Sequence, residues 1–260
     1  MKTVMSAITT LVVALIASML VVFIFPDRFA ADLPAWARPW FTRDWVQVVL
    51  QLEPDGGELA QAVEESIWIS KSRLSDLGTR AVVEKQYDDR IILVQLPRSA
   101  DVTRSITMLT RRGKLEFRLI DTTMTAEQAI AGRPPRRSEV LYDTDKKPYL
   151  VNKQVIVSGR DFVDARPGLD PYMHMPVINF LFNASGTRTF GQVTQENVGQ
   201  RFAIILDHEV LSAPVIREPI LGGRGQIAGA FTVQQANDMA VLLRAGELPG
   251  RLTVIEQRTP

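Results

Sequence analysis

The chain has 260 residues, 46% of them apolar and 23% charged, a globular composition that excludes wholesale disorder and suits one or two domains. Thirty basic against 29 acidic side chains leave a net charge of +1, which argues against an electropositive nucleic-acid binder. The absence of cysteine excludes disulfides, Fe–S clusters, thiol nucleophiles and Cys-ligated zinc, and two distant histidines, His174 and His208, leave little for metal or acid–base chemistry.

Val4 to Phe25 is the first element. It holds 18 apolar residues in 22 positions and no charge. As a helix it is about 33 Å long, enough to cross a hydrocarbon core. A cleaved signal peptide is the alternative, but the apolar run is longer than a signal core, and Pro26-Asp27-Arg28 follows it rather than a small-x-small site. The reading is a retained single-pass anchor (1–26) with its N-terminus in the cytoplasm and the rest of the chain outside the cytoplasmic membrane. A Pro-rich tether (27–43) follows. It carries Trp36 and Trp40, which either sit at headgroup level or pack as ordinary tryptophans.

The first soluble unit (44–121) reads as β-α-β-β-α-β. Trp45 to Glu53 alternates as a strand, and Pro54 to Gly57 turns. Leu59, Val63, Ile67, Leu74 and Leu77 form one helical stripe that Gly78 stops. Ala81 to Gln86 and Arg90 to Leu96 pair across an Asp88-Asp89 turn. Val102, Ile106 and Leu109 mark a second helix ended by Gly113, and Leu115 to Ile120 is the last strand. That order predicts a ferredoxin-like base, an antiparallel sheet with both helices on one face.

Residues 122–149 read as a linker with one short helix, opened by the capping box Thr125-x-x-Gln128 and ended by Gly132. The basic run Arg133 to Arg137 reads as a solvated segment. Residues 150–260 form a second α+β unit, the head, with a closing strand. Its elements are strands at Val151 to Val157, Met175 to Asn183, Phe202 to Asp207, Glu209 to Ile216, Gly225 to Ala230 and Leu252 to Gln257. Its helices run from about Gly186 to Glu196 and from Thr232, boxed with Gln235, to Gly246. The fold class is therefore α+β behind one membrane helix.

No motif survives as chemistry. Gly223-x-Gly225-x-x-Ala228 fits a loosened dinucleotide pattern, but it enters a strand where that pattern must open a helix. Asp207-His208-Glu209 reads as a hairpin turn rather than a catalytic or metal site. Asn183-x-Ser185 is a bare sequon. No enzyme, cofactor, metal or small-molecule substrate is expected.

The second half resembles the SecD family of the bacterial protein-export translocase. The residues that carry this are Val157-Ser158-Gly159, Asp161 to Ala165, Thr194 to Gly199, Phe202 to Asp207, Ser212 to Ile216, Gly222 to Gly229 and, most strongly, Phe231 through Leu242-Leu243-Arg244-Ala245-Gly246-Glu247-Leu248-Pro249. Arg90 to Pro97 and Leu115 to Ile120 look like that family's base. The resemblance implies a periplasmic base and mobile head that hold unfolded preprotein during proton-motive-force-dependent export, beside a SecF-like subunit and the SecYEG channel at the bilayer. A membrane-anchored scaffold without a translocation role is the alternative. Two departures stand out: Thr42 to Glu53 lacks the family's glycine pair, and Thr259-Pro260 falls where the family continues into five proton-conducting spans. The expectation is a truncated or split subunit that is no proton-driven motor by itself. The expected polypeptide-binding residues are Val177, Ile178, Phe180, Phe182, Pro214 and Pro219. The expected hinge is Asp121 and Thr122 with Gly246, Pro249 and Gly250.

Overall fold

A computed structural model describes residues 45–86 and 89–259. The expected membrane helix at Val4 to Phe25, the tether, Trp36, Trp40 and Asp88 lie outside the described residues. Among the described residues no helix is long and apolar enough to cross a membrane.

The first sheet is four-stranded and antiparallel. Its strands are β1 (Trp45–Pro54), β2 (Val82–Lys85), β3 (Ile91–Pro97) and a strand from the far end of the chain, Gly250–Arg258, in the order Gly250–Arg258, β1, β3, β2. β1 alternates half-buried and buried residues, so Val46, Val48, Leu50 and Leu52 face one core. Helices α1 (Leu59–Asp76) and α2 (Val102–Thr110) close that core with Val63, Ile67, Leu74 and Leu109. Asp101 caps α2 by accepting the Arg104 N–H.

Here the sequence expectation and the structure part. Leu115 to Ile120, expected to close the first sheet, forms β4 (Leu115–Leu119) in a different sheet, and Gly250–Arg258 takes the place beside β1. The reason is burial. Both faces of β4 are covered, with Leu115 and Phe117 in one core and Glu116 and Arg118 buried as an ion pair on the other face. In the strand at the chain end one face stays open beyond Leu252, as an outer strand allows.

Residues 122–149 are also more than a linker. They hold α3 (Ala126–Ala131), with the expected Thr125–Gln128 capping box and Gly132 stop, then β5 (Ser138–Tyr142) and the start of β6 (Pro148–Asn152). β7 (Val157–Ser158) and β8 (Phe162–Leu169) follow; β8 had no counterpart in the sequence reading. β9 (Pro176–Phe182), α4 (Ala184–Glu196), β10 (Phe202–Leu206), β11 (Glu209–Ser212), β12 (Arg224–Ala228) and α5 (Val233–Ala245) complete the second unit, and Gly250–Arg258 is β13. They build a six-stranded sheet, β6-β5-β11-β10-β4-β7, and a three-stranded one, β12-β9-β8. Between these two sheets, α4 and α5 lies an aromatic core. Phe117 is its hub, with its ring 5.5–6.0 Å from those of Phe162, Phe180, Phe182, Phe190 and Phe202.

The expected Asp207-His208 turn is present. Both residues have positive φ, 52° and 68°, the geometry of a two-residue hairpin with the strands' own twist. Asn183, the asparagine of the sequon, caps α4 by accepting the Gly186 N–H at 2.8 Å.

Candidate functional site

The chain crosses between the two units twice, once from α2 into β4 and once from α5 into β13. The crossings lie side by side, because the Leu248 N–H donates to the Arg112 carbonyl at 2.9 Å. Each contains a glycine in the left-handed region, Gly113 at φ 76° and Gly246 at φ 87°.

Arg73, on α1, binds both crossings. Its side chain is fully buried. One terminal nitrogen donates to the carbonyls of Met108, at 2.8 Å, and Arg111. The other donates to Arg112 at 2.9 Å and to Gly246 at 2.8 Å. A guanidinium carries five N–H donors in a rigid plane and no acceptor, so it suits a nest of carbonyls at two chain ends. Burial pulls its pKa down to about 10, against the opposing pull of Asp207, and it stays charged at neutral pH.

A shell of ion pairs surrounds this clamp. Arg112 bonds Asp55, just after β1, and Glu247 at 3.1 Å. Asp207, at the hairpin turn, accepts the Lys114 N–H at 2.8 Å. Two further pairs run from the first unit to α5: Arg104 to Asp238 at 3.0 Å and Arg244 to Asp76 at 2.8 Å. Burial holds the Glu247 carboxyl above the usual range, while Arg112 and Lys114 pull it back. Beside the junction, a cleft is lined by Glu65, Trp68, Arg160 and Pro249, and Trp68 is 63% exposed.

Of the expected hinge residues, Gly246, Pro249 and Gly250 lie on the second crossing. Asp121 and Thr122 do not lie on the first: they follow β4, already inside the second unit. The Ser138 hydroxyl donates to Asp121 and holds its carboxyl below the usual range. The true first crossing is residues 111–114. Placing β4 in the wrong sheet displaced the expectation by one strand.

The expected binding residues also divide. Val177, Ile178, Phe180 and Phe182 are buried in β9, the middle strand of its sheet, so their side chains are core and not surface. Pro214 and Pro219 are exposed and are not joined to them in one patch. Sequence reasoning missed Arg73, though a signal was there. Ala62, Ser66, Ser70 and Arg73 recur every three or four residues beside the leucine stripe, a row of small residues ending in a cation. It also missed an exposed apolar hairpin tip, Leu169, Tyr172, Met173 and Met175, between β8 and β9.

With this geometry in hand, residues 138–250 match the family described as SecDF, P1 head subdomain. The match starts at the first residue of β5 and ends at the second crossing. The chain is of the SecD type. It is 40% identical over 201 residues to the protein translocase subunit SecD of Rickettsia bellii, covering 77% of this chain and 39% of that protein. The SecD subunit of Desulfurispirillum indicum is 36% identical over 208 residues, with 76% and 40% covered. The SecD-type chain thus spans about two-fifths of the length of these curated relatives. Among solved structures, a membrane component SecDF that enhances protein export matches with a TM-score of 0.66 and 29% identity over 82% of this chain and all of that one. SecDF in its super-membrane-facing form matches with a TM-score of 0.68 and 28% identity over 93% of this chain and 34% of that one. The α+β architecture of the SecD-type chain is that of these proteins.

Proposed function

We propose that this chain serves protein translocation, as a module anchored by Val4 to Phe25 that holds unfolded preprotein on the periplasmic side of the cytoplasmic membrane. In this reading β13-β1-β3-β2 with α1 and α2 is a ferredoxin-like base whose last strand arrives after the head, and Trp36 and Trp40 sit at the interface. The observation that carries the proposal is the head match over residues 138–250, seated on two crossings that each hold a left-handed glycine. A segment hinged at two adjacent points can swing as one body. The dependence on the proton-motive force then comes through membrane partners, a SecF-like subunit and the SecYEG channel.

A crosslinking experiment tests this. An export intermediate stalled in cells expressing the chain with photoreactive probes at Pro214 in the head, or Ile255 in the base, should label at Pro214. Labelling confined to Ile255, or none, defeats the proposal.

One observation favours a second reading, an anchored scaffold that never moves: Arg73 and the surrounding ion pairs join base and head at several points.

A further inference from the structure

β12 is an outer strand of the three-stranded sheet, paired on one side only, with β9. Its register fixes which backbone groups face away. The Phe182 N–H donates to the Gly223 carbonyl, so residues 223 and 182 form a hydrogen-bonded pair. With the register Gly225↔Phe180 and Ile227↔Ile178, every second residue of β12 turns its N–H and C=O toward β9. Arg224, Gln226 and Ala228 therefore turn theirs outward, and all three residues are exposed. Among the described residues no hydrogen bond reaches these outward groups.

The opposite edge of the same sheet is closed. β8 has Pro167 at an outward position, where no N–H exists, and its outward Ala165 carbonyl accepts Arg244 at 2.8 Å. Folded proteins blunt open edges with proline, bulges, charge or a covering element. β12 has no proline and no bulge, and its one charge, Arg224, is at its start. The contrast within one sheet marks the β12 edge as kept open.

We propose that the β12 edge takes an extended segment of unfolded polypeptide as a fourth strand. This rests on the translocation reading and gives its binding surface. Main-chain donors and acceptors recur about every 6.6 Å in any extended chain, so strand addition recognises a polypeptide without regard to its sequence. A folded protein offers few such free edges, and the site therefore selects for the unfolded state.

The test uses the full chain in detergent and reduced, carboxymethylated α-lactalbumin as the permanently unfolded probe. Gln226→Pro removes one outward N–H and leaves the β9 ladder intact, and the preceding Gly225 tolerates a following proline better than other residues. Binding should weaken at least about tenfold, through the lost bond and the ring's bulk at the edge. Gln226→Ala, which keeps the N–H, should bind like the parent. Residue-resolved amide exchange on the unaltered chain gives a second readout that needs no variant. On binding, the Arg224, Gln226 and Ala228 amides should slow, while those of Gly225 and Ile227 stay as they were. Full binding by a folded Gln226→Pro chain, or no slowing at the three outward amides, overturns strand addition alone. No binding of the probe to the unaltered chain overturns strand addition and the translocation reading together.

Discussion

Arg73 shows how much one side chain can carry here. Four carbonyls depend on it, and they belong to the end of α2, the first crossing and the second. Replacing it with methionine fills the same length with apolar atoms but takes a donor from all four oxygens, leaving the Arg112 carbonyl with the Leu248 N–H. Arg73→Met should cost about 3–5 kcal/mol in urea unfolding. Arg73→Lys should recover less than half of that, because one ammonium cannot fork to two crossings. The neighbouring hairpin turn predicts the opposite sign. His208 holds a φ of 68° that suits glycine, so His208→Gly should gain up to about 1 kcal/mol in the same assay. The turn was legible in the sequence because Asp207-His208 stands between two apolar strands. Arg73 was hidden, because an arginine two turns past a solvated Glu64-Glu65 pair looks like any surface cation until its partners, in one case 173 positions away, are known.

At the scale of elements, local signals were read well and pairings were not. The capping boxes at Thr125 and Thr232, the Gly78 and Gly113 stops and the alternation of β1 all follow from chemistry within a few residues. Which sheet owns β4 does not. Leu115 to Ile120 and Leu252 to Gln257 are equally good strands in isolation, and only their partners distinguish them. β5 escaped for a related reason: it has just five residues, set among charges and prolines that read as linker, and the single strand expected over Val151 to Val157 is instead the end of β6 and the start of β7, with residues 153–156 outside any strand. The three-stranded sheet owes its position to the aromatic core beneath it. Phe117→Ala removes the ring that five others touch and should cost about 3–5 kcal/mol. Near-UV circular dichroism should lose its fine structure in that variant before the far-UV signal changes.

Across the whole molecule, the question is whether the head moves on the base. The chain contains no cysteine, so a pair introduced at Arg104 and Asp238 would be the only thiols present. Joining them with a short bismaleimide fixes α2 to α5 across the junction, where the native ion pair already holds them close. If the head must swing during export, the linked chain should lose its contribution, while each single-cysteine control treated alike keeps it. A linked chain as active as the controls would favour the fixed scaffold.

The late arrival of β13 has a consequence for biogenesis. Gln47 pairs with Arg258, so one side of β1 waits until Arg258 has been synthesised. Closing so long a loop is slow unless the intervening residues are already compact. The head must therefore mature first, as an inserted body that brings the two ends of the base together. A ribosome-bound chain stopped short of residue 250 should present a protease-resistant head on a base that is still digestible.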